Sequence, residues 1–316
     1  PAVINAQLTP DRMAEIEHGF CSPGAVLIRH SGHSLLDFLG VSDHFGRDFV
    51  RVSKKGQVRQ ITGGNVNRQA LPGYDSVFLP TGHGQLFALP LHGELYYQYR
   101  QPPELLWFFC QHSAAQDGET WLCDGADLFA ALPAAIQQLL MDQQIVYTRC
   151  QPAANWQRDY GCEDFASLCA FLAGQGIEAS LQPDGSLLTR YVCSALRLDQ
   201  LDSGGQNRPV FINNLLPFAL RELHEPAATQ ARVRFEDGSR IPVEMLQQIE
   251  AIAADLTCHL SWQAGDLLML DNRRVMHGRG QISDPKRTLY LRMSHLARAV
   301  QSDPTAAELT GSGFRR

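Results

Sequence analysis

No run of eighteen or more apolar residues occurs in this 316-residue chain, so no segment reads as a membrane-spanning helix. A glycine period, a low-complexity tract, an internal repeat and a linker rich in Pro, Gly or Ser are all missing too, which excludes fibrous, solenoid and tethered-module architectures. There is no surplus of positive charge: 27 basic residues face 33 acidic ones, for a net charge of −6. A phosphate backbone or an anionic membrane is therefore a poor general partner. The eight cysteines form no C-x-x-C pair and most sit in apolar stretches such as Trp107 to Cys110, which predicts free thiols and a reducing compartment. The N-terminal Pro-Ala-Val-Ile-Asn-Ala-Gln lacks the basic start and long apolar core of a secretory signal. The expectation is a cytoplasmic protein.

What remains is an ordinary globular composition, 44% apolar and 19% charged, organised as many short strands with a few helices. Thr9-Pro10-Asp11 reads as a helix start. Ala25 to Ile28 reads as a strand and Ser34 to Phe45 as a helix. Residues 50 to 84 are weakly periodic and read as long loops, the kind that often carry function. Strands are expected at Leu105–Cys110, Thr120–Cys123, Ser186–Leu196, Val210–Asn213, His259–Trp262, Asp266–Asp271 and Thr288–Ser294. Helices are expected at Ala126–Leu140 and Glu163–Leu172, and a strongly amphipathic one after Pro242.

His92-Gly93-Glu94 is the first chemical signal. On a strand, residues two apart share a face, so one imidazole and one carboxylate could project together toward a metal ion. Alone the pair means little, because 11 histidines and 33 acids give about one such spacing by chance. A second cluster runs from Trp262 through Gly265-Asp266, an apolar strand and the polar turn Asp271-Asn272-Arg273 to His277-Gly278-Arg279. Two histidines and one carboxylate occupy one face of an octahedral Fe(II) and leave the opposite positions open. Such a site is net positive and favours an anionic co-substrate. Gly118-Glu119-Thr120 and the arginines Arg287 and Arg292 supply a hydroxyl and two-pronged cations that suit a dicarboxylate.

In these motifs and their order the chain resembles the taurine dioxygenase (TauD/TfdA-like) family of Fe(II)/2-oxoglutarate oxygenases. It is most similar to the branch with a Glu ligand, which includes clavaminate synthase-like enzymes and amino-acid hydroxylases. The similarity spans roughly residues 20 to 295. It implies a mainly β fold with flanking helices, a double-stranded β-helix or jelly roll. It implies that His92, Glu94 and His277 bind Fe(II), and that Thr120 with an arginine after His277 holds 2-oxoglutarate. The family commonly shows two arginines four apart, whereas Arg287 and Arg292 are five apart and would face opposite sides of a regular strand. Arg287, at the strand start, is the preferred 2-oxoglutarate residue. Arg292 is the alternative, or a substrate contact should a bulge restore the phase.

The implied reaction consumes O2 and 2-oxoglutarate, releases succinate and CO2, and hydroxylates an unactivated C–H, with desaturation or ring closure as other outcomes. Halogenation is disfavoured, since a halogenase usually replaces the carboxylate ligand and Glu94 is present. Asn65 and Asn67 in the 65–74 loop, Tyr96 and Tyr97 beside the metal pair, and Asn213 are the candidates for contacting a small, amino-acid-like or natural-product substrate. A cupin-like barrel that binds without turnover is the competing class. A zinc hydrolase is a third, weakened by the lack of an H-E-x-x-H helix. Ligands at both ends of the chain argue for one catalytic unit over residues 1–316, with roughly 150–255 inserted as lid and supporting helices.

Overall fold

The computed structural model describes residues 1–5, 7–9, 12–51, 68–80, 88–160, 164–198, 208–225, 231–284 and 286–297. Strand β1 (Ala2–Ile4), helix α1 (Met13–Cys21) and strand β2 (Ala25–Ile28) open the chain, with β1 parallel to β2. Of the anticipated helix start, Pro10 and Asp11 lie outside the described residues. Helix α2 (Leu35–Phe45) begins at Ser34, whose hydroxyl accepts from the Asp37 amide while the Asp37 carboxylate accepts from the Ser34 amide. This reciprocal cap satisfies two amides that the first turn would otherwise orphan.

Next come β3 (Gly46–Arg47), β4 (Leu89–His92), β5 (Leu105–His112) and β6 (Thr120–Asp124). Where a single helix was expected over 126–140 there are two, α3 (Gly125–Ala131) and α4 (Ala134–Asp142). The break falls at Pro133, which lacks the amide an interior helical position needs and serves instead as the cap of α4. Strand β7 (Gln144–Gln151) precedes α5 (Ala153–Tyr160), α6 (Phe165–Gly174), β8 (Ile177–Leu181), β9 (Leu187–Ser194), β10 (Leu196–Arg197) and β11 (Val210–Phe211). Helix α7 (Leu215–His224), β12 (Ala231–Phe235) and α8 (Val243–Leu256) follow. The chain then runs through β13 (Cys258–Leu260), β14 (Leu267–Asp271), β15 (Val275–Arg279) and β16 (Thr288–Leu296).

Two sheets make the centre. One has the order β1-β2-β14-β5-β16-β3 and the other β13-β6-β15-β4. Between them lies a shared core of Leu106, Phe108, Leu268, Leu291 and Met293 from the first, and Leu122, Leu260 and Val275 from the second. Strand β5 explains its own apolar run: Leu106, Phe108 and Cys110 face this core, while Leu105, Trp107 and Phe109 pack against α1 and α2. A strand covered on both faces has no polar side to show. This is the expected mainly β jelly roll with flanking helices.

A third sheet, β12-β7-β9-β8, shares a separate core with α3, α4, α7 and α8. The 150–255 region thus supplies β8, β9 and β12 of a sheet besides helices. Cys110 and Cys123 are buried, but Cys21 and Cys258 are exposed, so core filling accounts for only some of the thiols. No helix among the described residues is long and apolar enough to cross a membrane.

Candidate active site

Strand β15 runs antiparallel to β4 with His277 directly opposite His92, and the two rings lie 4.4 Å apart. Gly278 permits this approach, since a Cβ there would sit 2.8 Å from the Leu89 carbonyl oxygen. The route by which Glu94 joins them corrects the strand-face argument. Strand β4 ends at His92, and Glu94 sits in the turn that follows. Three contacts set that turn. The Gly93 amide donates to the Asn213 carbonyl at 2.8 Å, and a Cβ on Gly93 would lie 2.7 Å from the Tyr96 ring. The Glu94 amide donates to Asn272 Oδ1 at 2.8 Å. Asn272 Nδ2 donates to the carbonyls of Glu94, at 3.1 Å, and Pro103, at 2.7 Å. Leu95 then takes a positive φ of 66°, a left-handed conformation costly for leucine.

The turn brings Glu94 Oε2 to 3.8 Å from His277 Nε2. One ligand atom from each of His92, Glu94 and His277 lies within 4.8 Å of the others, and all three residues are buried. Burial pushes the His92 imidazole below its usual range, against the pull of Glu94. It pushes His277 well below, and a positive charge on His92 or Arg68 would lower it further. Burial thus favours the neutral form of both rings, the form with a lone pair to give. His92 Nδ1 lies 2.8 Å from the Pro90 carbonyl, a contact that assigns its proton to Nδ1 and leaves Nε2 as the ligand atom. Two neutral imidazoles and one carboxylate, convergent and buried, fit a divalent iron.

Thr120 and Arg287 line the same pocket. The buried Thr120 hydroxyl accepts from Trp262 Nε1 at 2.9 Å, so its own proton is available to an anion. Arg287 is 8% exposed and its Nε has no hydrogen-bond partner. Burial, with the nearby charge of Arg279, lowers its pKa to about 10. Gly118, at φ 77°, leaves the room: a Cβ there would lie 3.0 Å from Arg287 Cδ. A buried guanidinium and a free hydroxyl proton in one pocket are groups suited to a carboxylate.

Arg292 is placed elsewhere. The pairing of β16 with β5 shifts between Thr288 and Leu289, after which Leu289, Leu291 and Met293 face the shared core. Arg292 points to the other side, where it pairs with Asp43 at 2.8 Å and lies 3.8 Å over the Phe49 ring. The bulge therefore does not bring Arg292 to the pocket. Tyr96 donates its hydroxyl to the Asn272 carbonyl, and Tyr97 packs on Phe218 and under Arg149; neither lines the pocket of the triad. Asn213 spends its side chain on the Ala195 carbonyl and the Leu215 amide, which makes it a brace for the Gly93 turn. Asn65 and Asn67 lie outside the described residues. Their neighbour Arg68 does reach the site, with Nη2 at 2.9 Å from both Glu94 oxygens. Asn272, Trp262 and Arg68 are generic residue types whose roles the motifs do not announce.

The sequence model of the "Taurine catabolism dioxygenase TauD, TfdA family" matches residues 3–295. The chain belongs to this family. It is an Fe(II)- and 2-oxoglutarate-dependent dioxygenase. It is similar to the dapdiamide synthesis protein DdaC of Enterobacter agglomerans, 23% identical over 217 residues that make up 64% of each chain. It is also similar to a clavaminate synthase-like protein of Arabidopsis thaliana, 24% identical over 281 residues, 84% of this chain and 80% of that one. Among solved structures it resembles a putative α-ketoglutarate-dependent 2,4-D dioxygenase from Burkholderia xenovorans. That likeness has a TM-score of 0.51 at 14% identity, covers 94% of this chain and 92% of that one, and concerns the fold.

Proposed function

We propose that this family member hydroxylates a small polar substrate, an amino-acid-like metabolite or natural-product intermediate, as a single cytoplasmic catalytic unit. The observation that carries the site assignment is the cross-strand register of His277 and His92 with Glu94 delivered between them. In this reading His92, Glu94 and His277 hold the iron, and Thr120 and Arg287 hold the distal carboxylate of 2-oxoglutarate. Bound there, iron with 2-oxoglutarate and O2 would supply an oxidant able to take hydrogen from an unactivated C–H, with release of succinate and CO2. Thr120 donates the proton that Trp262 leaves free, and Arg287 matches the carboxylate charge. Phe108, Leu289 and Leu291 form an apolar wall that keeps water from the reacting carbon.

The substrate class is supported by the similarity to a dapdiamide synthesis protein and to a clavaminate synthase-like protein. The net charge of −6 and the buried pocket agree with a small molecule in preference to a nucleic acid. Under anaerobic conditions Fe(II) and 2-oxoglutarate together should give a weak visible absorption band that His92→Ala abolishes. Absence of the band with folded protein, or its survival in the variant, would remove the triad assignment. Aerobic turnover should yield succinate, and a mass-spectrometric screen should find a product 16 mass units heavier, or 2 lighter for desaturation. A protein that shows the band but never yields succinate is a binding barrel.

A further inference from the structure

Arg68 is the residue of the pocket that neither the motifs nor the family assignment explains. Its side chain is 12% exposed and that of Glu94 is 5% exposed, so the pair is nearly dry. One nitrogen, Nη2, lies 2.9 Å from each carboxylate oxygen. The other terminal nitrogen rests 3.8 Å from Met293 Sδ. The backbone that presents Arg68 is fixed as well. The Leu79 amide donates to the Gln69 carbonyl, Ala70 bridges Phe78, and Phe78 exchanges two 2.8 Å hydrogen bonds with Leu291 of β16. Arg68 is thus held by a hairpin docked on the jelly roll, one residue from its first pairing contact.

A carboxylate ligand can give a metal one oxygen or two, and the choice decides how many positions stay open. Two imidazoles and one oxygen leave three places on an octahedral ion; a second oxygen leaves two. The keto-acid end of 2-oxoglutarate takes two, so only the one-oxygen mode keeps a place for O2. We infer that Arg68 is a positioning residue that retains one Glu94 oxygen and so holds this ligand in the one-oxygen mode. The arrangement suits the task. A donor shared equally by both oxygens keeps its bond to one when a metal takes the other, and a charge-assisted bond in a dry site is strong. Outer partners of this kind govern ligand orientation. The inference rests on the proposed iron assignment, so its test must separate the two.

Mn(II) loading of the intact protein, read by water-proton relaxation, counts the waters bound to the ion. Wild type should hold about three. Arg68→Met should hold about one fewer, because Glu94 closes on the ion with both oxygens, and the carboxylate stretching bands should narrow their separation in infrared difference spectra. Arg68→Lys, which keeps a cationic donor, should restore the wild-type count. Equal counts and equal infrared bands in wild type and Arg68→Met, with both proteins folded and Mn(II)-loaded, would overturn the role of Arg68 alone. Wild-type protein that takes up no Mn(II) would overturn the metal centre itself and this inference with it.

Discussion

Asn272→Ala is the most severe test of how the site is built. Asn272 is fully buried, and its amide makes three hydrogen bonds: from the Glu94 amide at 2.8 Å, and to the Glu94 and Pro103 carbonyls at 3.1 and 2.7 Å. Alanine leaves one buried N–H and two buried carbonyls unpaired. At roughly 1–3 kcal/mol per stranded group, the three together lose about 3–9 kcal/mol. That is a large part of the ~5–15 kcal/mol that holds a typical fold together. For a chain of this size the melting point should fall by about 5–15 °C, measured by circular dichroism. The damage should also be chemical. Freed from Asn272, the turn that holds Leu95 at a φ of 66° relaxes and Glu94 leaves its partners. Fe(II) affinity, titrated anaerobically well below the melting point, should weaken by about 10–100-fold. Asn272→Asp sharpens the test: it keeps the acceptor for the Glu94 amide and replaces the donor that serves two carbonyls, so it should be no better than alanine. If Asn272→Ala melts within about 1 °C of wild type and binds iron equally well, the turn is not held by this amide and the account of Glu94 is wrong.

Other consequences follow from single contacts. Thr120→Val keeps the shape of the side chain but removes a charge-assisted donor of about 1.5–3 kcal/mol. The 2-oxoglutarate concentration needed for the Fe(II) band should rise about 10–100-fold, with iron affinity unchanged; an unshifted 2-oxoglutarate titration would exclude Thr120 from the co-substrate site. Arg287→Met should abolish saturable 2-oxoglutarate binding, whereas Arg292→Met should leave it intact and lower only stability, by freeing Asp43 and Ser42. The reverse outcome would exchange their roles. Gly278→Ala drives a Cβ into the Leu89 carbonyl, so β4 and β15 should separate and metal uptake fail even where the protein stays folded.

Glu104 gives an acid dependence away from the site. Its carboxyl is lowered to about 2, first by His295 and also by the Leu296 amide and Arg273. A depressed carboxylate stabilises the fold above its unfolded pKa and loses that contribution as pH falls from about 4.5 toward 2. The carboxylate is partly open to solvent, so about 1–2 kcal/mol is a fair discounted magnitude. Glu104→Gln should therefore cost that much at pH 7 and flatten the acid limb of a urea-stability profile. An unchanged limb would show that the Glu104 contacts do not persist in solution.

How much of this was legible beforehand depends on whether the signal was local. Strands β2, β5, β14 and β16 and helices α2 and α8 could be read, because caps and apolar periods are written within one segment. Strand β7 and helix α7 were not among the expectations. Gln144 to Gln151 shows no clean alternation, because Ile145, Val146 and Tyr147 are buried in succession, and Pro217 makes α7 look interrupted although proline is tolerated in a first turn. The site divides along the same line. His92, Glu94 and His277 are legible through the resemblance of their motifs to a known family, since a His–acid spacing alone arises about once by chance, but the strand-face reason for Glu94 does not hold. It does not share a strand face with His92; it is carried by a turn that Asn272 ties from the far end of the chain. Trp262 behind Thr120 and Arg68 against Glu94 are contacts of the same sort. None has a spacing to betray it, because each arises only when β15 meets β4 and the 69–79 hairpin meets β16. The residues proposed to hold the metal are thus a property of motifs, while the contacts that position them are a property of the closed barrel. Asn272→Ala should therefore strike folding and chemistry together, whereas Arg68→Met should alter the chemistry of an intact fold.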